Sequence, residues 1–196
     1  MPKLWSETVR EHRDAVRDAT LDAAAAVVTR RGVGATMSEI AETAGISRAT
    51  LYKYFPDVQS ILAAWHDRQV AAHLAELEAT RQHADPSRSL EAVLEAYALH
   101  QRDRGSSALW PALQSTHRSA EAHRRHHETG ARDELADFVA ALISERVAQG
   151  TVRTDVDPAE LASYCLHALS AAESLPSDAA IRRLCAVVLA GIRPPR

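Results

Sequence analysis

The segment TMSEIAETAGISRATLYKYF, at residues 36–55, constrains the fold more than any other part of the chain. Thr36 and Glu39 stand three residues apart, which is the spacing of a capping box at the start of a helix. Gly45 follows where a tight turn needs a residue that tolerates a positive φ angle. Ser47 can then cap a second helix, because its hydroxyl can accept from a backbone N–H of the first turn. The segment therefore predicts a helix-turn-helix.

The second of these helices, near 48–54, has one apolar face and several polar ones. Leu51 and Phe55 lie four residues apart on one face, so we expect them in the core. The other faces carry side chains suited to phosphates and base edges: Arg48, Thr50, Tyr52, Lys53 and Tyr54. The two tyrosines cannot both join the apolar face, and an exposed ring beside a cation favours a DNA-binding helix over a surface helix without a partner. We expect Arg48 and Thr50 at base edges, and Tyr52 and Lys53 at phosphates.

The overall charge does not by itself indicate a nucleic-acid-binding protein. The 196 residues carry a formal net charge of −3, and residues 1–60 hold 8 Lys/Arg against 8 Asp/Glu. DNA binding must therefore depend on a local patch and on helix N-termini. A small patch suffices if two copies of the chain act together.

Composition indicates a globular chain with a real core, since 46% of the residues are hydrophobic and 25% are charged. No apolar run approaches the roughly 20 residues of a membrane span. The N-terminal residues are too polar for a secretory signal, so a cytoplasmic location is predicted. Cys165 and Cys185 sit in apolar helical patterns, which favours buried free thiols over a disulfide or a metal pair.

Apolar residues recur at helical spacing along almost the whole chain, which predicts an all-α fold of about nine helices. Gly130 raises the alternative that the seventh helix is broken. The alternating segment 151–157 is short, and we interpret it as a loop. The predicted helices are near 6–31, 37–44, 48–54, 57–83, 86–105, 109–113, 119–149, 158–172 and 177–191.

The order of these elements resembles the tetracycline-repressor (TetR) family of bacterial transcription regulators over roughly residues 13–62. A long helix, the two-helix motif and a helix beginning YFPDVQSIL follow one another as in that family. The stretch 150–169 also looks like the start of the family's last helix pair, whereas 85–149 matches no pattern that we can name. The residues that carry the resemblance are Ile40, Ala41, Ala44, Gly45, Ser47, Leu51, Tyr52 and the aromatic Phe55.

The resemblance implies a DNA-binding domain at 1–56 and an effector-binding and dimerisation domain at 57–196. It implies double-stranded operator DNA as a partner, and a homodimer formed mainly through the last two helices, about 157–191. By motif position, the residues that face DNA would be Thr36, Arg48, Thr50, Tyr52, Lys53 and Tyr54.

One position departs from the family pattern. Many members carry a lysine three residues after the motif's last aromatic, placed for a phosphate, and this chain has Val58 there. One phosphate contact per subunit is then expected to be missing or to be supplied elsewhere, for example by Arg30 or Arg31.

The resemblance also implies an effector cavity among the middle helices. Large rings with an occasional polar tip are how helical pockets hold small organic ligands. The sequence leaves open whether each candidate lines a cavity or is an ordinary core aromatic. The candidates are Trp65, Tyr97, His100 and Trp110.

Ten histidines raise the question of a metal site, since four of them crowd residues 117–127. His123 and His127 are four residues apart and could face one metal ion, with Glu128 or Asp133 as a third ligand. The sequence favours a solvated helix face instead, because no metal-binding motif surrounds the pair. We therefore predict no metal and no cofactor, and the absence of any catalytic motif predicts that the chain is not an enzyme.

These observations predict a ligand-responsive DNA-binding regulator that represses transcription until a small molecule releases it from its operator. The alternative is a helical small-molecule-binding or scaffolding protein that no longer binds DNA. Val58 and the neutral N-terminal segment are the features that favour the alternative.

Overall fold

A computed structural model describes residues 2–105 and 127–195, with side chains except at 2–8, 33, 104–105 and 127–133. Within these ranges every regular element is helical, which confirms the all-α prediction. Three short 3-10 turns, Gly32–Gly34, Pro86–Arg88 and Ala171–Ser174, lie between helices. The helices are α1 (Pro2–Arg31), α2 (Met37–Thr43), α3 (Arg48–Tyr54), α4 (Val58–His83), α5 (Ser89–Gly105), α6 (His127–Ala148), α7 (Pro158–Ser170) and α8 (Asp178–Gly191).

The described part of the chain thus holds eight of the nine predicted helices, and the short one near 109–113 lies outside it. The helix predicted from Asp85–Pro86 begins instead as a 3-10 turn, and α5 starts at Ser89. α6 continues through Gly130, so this glycine does not break it. The alternating segment 151–157 contains no strand, as predicted.

The chain divides into two compact units, of which the first extends, among the described residues, to Gln69. Its core combines the apolar faces of α1, α2, α3 and the start of α4. Ile40, Leu51 and Ile61 are each fully buried there, and burying such a side chain stabilises by about 1.5–3 kcal/mol. The guanidinium of Arg68 on α4 pairs with carboxylates of α1. The first turns of α4 also pack into this core, and the expected domain boundary at residue 56 stays a prediction.

The second unit begins at Val70 and contains the end of α4 together with α5, α6, α7 and α8. Its core is aliphatic, with fully buried residues from every one of these helices, such as Leu77, Leu94, Ile143, Leu169 and Ile181.

One buried cation also holds the second unit together. The Arg146 guanidinium is 6% exposed and donates to the Pro86 carbonyl and, over 3.3 Å, to the Ser89 hydroxyl. These hydrogen bonds fasten the turn between α4 and α5 to α6. They also satisfy the buried charge, whose burial would otherwise be costly.

Candidate nucleic-acid interface

The helix-turn-helix begins with the capping box that the sequence predicts. The Thr36 hydroxyl accepts from the Glu39 backbone N–H over 3.3 Å, and the Thr36 backbone N–H donates to Glu39 Oε2 over 3.1 Å. The hydroxyl also donates to the same carboxylate oxygen, over 2.9 Å. The hydrogen bond from the Thr36 hydroxyl is the main reason that the pKa of Glu39 lies below its ordinary value, and Arg31 and Arg30 lower it further.

The turn between the two helices depends on a glycine. Gly45 has φ +67°, a left-handed conformation that other residues seldom adopt. Its N–H donates to the Glu42 carbonyl over 3.1 Å, and the Ile46 N–H donates to the Ala41 carbonyl over 3.0 Å. This pair of hydrogen bonds is a Schellman motif, which satisfies carbonyls at the end of α2. The turn therefore sets the direction in which α3 leaves α2.

α3 itself presents its polar residues on a firmly packed base. Leu51 is 0% exposed and Phe55 is 5% exposed, so both are core residues, as predicted. Ser47 caps the helix by accepting from the Thr50 N–H over 3.0 Å. The Arg17 guanidinium of α1 lies over the face of the Phe55 ring, 6.0 Å from its centre. Packing on one side thus fixes which side chains of α3 face solvent.

Five of the six predicted DNA-facing residues lie on α3 and differ in how they are placed, while Thr36 caps α2. Arg48, Tyr52 and Lys53 are exposed, with Tyr52 at 49%, and Arg48 and Tyr52 lie four residues apart on one face of α3. Tyr54 is half-buried and packs against the core of the first unit. Thr50 is half-buried, and its hydroxyl lies 2.8 Å from the Ser47 hydroxyl.

Two neighbouring positions have structural uses that the sequence did not reveal. Val58, the departure from the family pattern, is half-buried and packs against the core of the first unit. The Arg31 guanidinium pairs with Glu39 over 3.2 Å, so one of the two arginines expected to replace the missing lysine is tied to the capping box. Arg30 is exposed.

The predicted effector-binding residues are divided between the two units. Trp65 is half-buried in the first unit and packs against Val28 and Leu62. The sequence predicted it as a cavity residue and did not predict this packing. Trp110 lies outside the described residues. Tyr97 is 6% exposed in the core of the second unit. His100 is half-buried one turn further along α5.

The second unit also contains a histidine that sequence reasoning missed. His73 on α4 is 7% exposed, and its ring stacks on that of His100 with 3.7 Å between centroids and 17° between planes. The Tyr97 ring lies 6.0 Å away. A signal was present, because His73 precedes the buried Leu77 by four residues and so shares its face of α4.

The remaining candidates concern the cysteines and the crowded histidines. Cys165 and Cys185 are free and buried, as predicted. Burial raises the pKa of Cys165 to about 12 and that of Cys185 to about 11, so neither is a reactive thiol. The side chains of His123 and His127 lie outside the described part of the chain.

Comparison with known sequences identifies the family. Residues 21–64 match the domain described as bacterial regulatory proteins of the tetR family. Residues 94–194, more than half of the chain, match the C-terminal domain of SbtR-like transcriptional regulators. The chain belongs to the TetR family of transcriptional regulators.

The chain is also similar to one curated protein and to solved structures. An uncharacterised HTH-type regulator of Mycobacterium bovis, Mb2274c, is 45% identical over 58 residues, which span 29% of this chain and only 31% of that protein. FadR from Bacillus subtilis, solved with stearoyl-CoA, superposes with a TM-score of 0.72 at 17% identity, over 89% of this chain and 98% of FadR. AibR, solved with isovaleryl coenzyme A and operator DNA, gives 0.64 at 22% identity, over 92% and 100%. At these identities the two structures show a shared fold.

Among the described helices of this TetR-family chain, none combines the length and the apolarity that crossing a membrane requires.

Proposed function

We propose that the chain represses transcription by binding operator DNA through α3, and that a small molecule releases it. The observation that carries the proposal is the position of Tyr52. Its ring is 49% exposed on the same helix as the exposed Arg48 and Lys53, while Leu51 on the opposite side is fully buried. A rigid helix that holds a cation and an exposed ring in solvent is suited to phosphates and base edges.

The helix-turn-helix supports the same conclusion through its rigidity. The capping box, the glycine turn and the buried face of α3 fix the direction of the helix that carries the exposed side chains. Recognition residues held on a packed helix lose less conformational entropy on binding than residues on a loop. We infer that Arg48 contacts a base edge, with Tyr52 and Lys53 at the phosphate backbone.

The protein would act as a homodimer, with two copies of α3 in successive major grooves about 34–36 Å apart. Two large apolar side chains on the last two helices support a dimer surface there. Tyr164 on α7 is 45% exposed and Val187 on α8 is 66% exposed. These two exposed groups lie on the helix pair that the family resemblance assigns to the dimer interface, so they are our candidates for contacts with a second chain.

An effector would act by binding the second unit with different affinity in the DNA-bound and free arrangements. The ligands in the FadR and AibR structures, stearoyl-CoA and isovaleryl-CoA, make acyl-CoA thioesters the first class to screen. Tyr97 and His100 remain our candidate contacts in the second unit. Trp110 stays a prediction from sequence, and Trp65 packs in the first unit.

A gel-shift assay with the DNA upstream of the chain's own gene tests the proposal. The wild-type chain should retard this DNA at low salt, and the double variant Arg48→Ala, Tyr52→Ala should not. Arg88→Ala is the matched control, since it removes an exposed arginine from the second unit and should leave the shift unchanged. A retarded band that survives the double substitution would refute the assignment of α3.

Salt dependence separates the proposal from the alternative of a protein that has lost DNA binding. The logarithm of affinity should fall linearly with the logarithm of salt concentration. Lys53→Ala should reduce this slope by about one unit for each phosphate that is no longer neutralised, so by about two for a homodimer. A flat response in the wild type would favour the alternative.

The dimer surface has its own test. Val187→Asp places a charge on the exposed apolar face of α8, and analytical ultracentrifugation should then show a monomer. Val9→Asp is the control, because Val9 is 48% exposed on α1 in the first unit. A Val187→Asp variant that sediments as the wild type would place the interface elsewhere.

A further inference from the structure

Three potential metal ligands come together between α4 and α5 in the second unit. The stacked rings of His73 and His100 supply two of them. Glu76 lies one turn after His73, with its Oε2 atom 3.9 Å from His73 Nδ1. One ligand atom from each of the three side chains lies within 4.8 Å of the other two. No such group was predicted from the sequence, which drew attention to His123 and His127 instead.

We propose that His73, Glu76 and His100 bind a divalent transition-metal ion of the Zn²⁺ or Co²⁺ type. Two imidazoles and one carboxylate are a ligand set that these ions favour, whereas Mg²⁺ and Ca²⁺ prefer oxygen ligands alone. Three protein ligands leave a fourth position open, as in zinc sites that keep an exchangeable ligand. The inference goes beyond the proposed function, because binding of the ion does not require that it alter operator affinity.

The distances require a modest closure of the site. With metal–ligand bonds of about 2.0–2.2 Å, ligand atoms around a tetrahedral ion lie roughly 3.3–3.5 Å apart. The Glu76 side chain is 74% exposed and can rotate toward the histidines. The imidazole rings are nearly parallel, so one must tilt to direct its nitrogen at the same point as the other.

The surroundings favour a binding site over simple packing of two rings. His73 is buried at 8% side-chain exposure, while Glu76 opens the group to solvent, so an ion has a route of entry along the carboxylate.

The experiment uses the full-length chain with His117, His123, His126 and His127 replaced by alanine, so that the crowded histidines do not bind the probe. Co²⁺ is titrated and its visible absorption recorded, and Zn²⁺ is then added as a competitor. We expect one Co²⁺ per chain, with the intense band of a four-coordinate ion, displaced by Zn²⁺.

Three further variants in this background decide the ligands. His100→Phe keeps a ring for the stack but removes the ligand nitrogen, and should abolish the band. Glu76→Gln should weaken Co²⁺ binding by about 10-fold or more, since even outer partners of a metal site contribute this much. His83→Phe is the control, because His83 is an exposed histidine on the same helix whose Nδ1 contacts the Ala79 carbonyl, and it should bind as the parent does.

The proposal is overturned if the parent binds no Co²⁺, or if Glu76→Gln and His100→Phe bind it as tightly as the parent. Circular dichroism checks that His100→Phe is folded. Should it not fold, Glu76→Gln decides alone, because the exposed Glu76 side chain contributes no buried contact to the fold.

Discussion

Replacing Thr36 by alanine separates two roles that this residue could have. Its hydroxyl accepts from the Glu39 N–H over 3.3 Å and donates to Glu39 Oε2 over 2.9 Å. Its backbone N–H donates to the same carboxylate over 3.1 Å. Alanine retains the backbone donor and removes the hydroxyl, so α2 loses its side-chain cap but keeps half of the capping box.

The expected cost is about 1 kcal/mol, the usual effect of replacing an N-cap threonine by alanine. With RT of about 0.59 kcal/mol, this loss raises the local opening equilibrium of α2 about five-fold. Hydrogen exchange measured by mass spectrometry should show it as exchange about five-fold faster in peptides that cover α2. Thr36→Ser is the matched control, since serine keeps the hydroxyl, and it should exchange like the wild type.

The same variant tests whether Thr36 also contacts DNA. Because the hydroxyl is engaged with Glu39 as both donor and acceptor, we expect Thr36→Ala to bind operator DNA with unchanged affinity at constant salt. Unchanged exchange in α2 together with weaker operator binding would refute this reasoning, since it would make the hydroxyl a DNA contact and not a cap.

Three further predictions concern the turn, the thiols and the capping carboxylate. Gly45→Ala should lower the free energy of unfolding by about 1–2 kcal/mol in urea titrations, because alanine disfavours φ +67°. No atom lies within 4 Å of a Cβ added at Gly45, so the cost comes from the backbone conformation and not from a clash. Asparagine adopts this conformation more readily than alanine, so Gly45→Asn should cost less. Burial raises the pKa of Cys165 to about 12 and that of Cys185 to about 11. Both thiols should therefore resist a thiol reagent at pH 8 until urea unfolds the chain, and rapid labelling of the native protein would contradict their burial. The hydrogen bond from the Thr36 hydroxyl is the main cause of the lowered pKa of Glu39, so the ionised carboxylate stabilises the fold fully at neutral pH. This stabilisation is lost as the pH falls through the lowered pKa. The free energy of unfolding of Glu39→Gln should therefore fall less on acidification than that of the wild type, and an equal fall would argue against this assignment.

The helix-turn-helix could be predicted almost residue by residue because its signals are local. The predicted 37–44 and 48–54 compare with Met37–Thr43 and Arg48–Tyr54 in the structure. Capping spacing, a glycine at the turn and a four-residue apolar repeat each depend on neighbours within one or two turns. Such signals do not require knowledge of which helix packs on which.

The second unit was less predictable because its features depend on contacts between distant helices. His73 shares a helix face with Leu77, a local signal that was missed, and nothing local indicated that His100 of α5 would stack on it. Trp65 illustrates the opposite difficulty. Its helix was predicted correctly, yet the start of α4 packs with the first unit, so the ring serves the core there.

The same packing limits how strongly one copy of the proposed DNA surface can bind. Val58 packs into the core and Arg31 is paired with Glu39, so Arg48 and Lys53 remain as the exposed cations of α3. Each phosphate neutralised contributes about 0.9 to the salt slope, so a single copy would give a shallow slope and weak binding. In the proposed homodimer, operator affinity would then come from two copies bound together, since linking two weak sites multiplies their effect. Val187→Asp should consequently abolish operator binding while leaving α3 folded, and a monomeric variant that still binds with wild-type affinity would show that one copy carries contacts beyond these two cations.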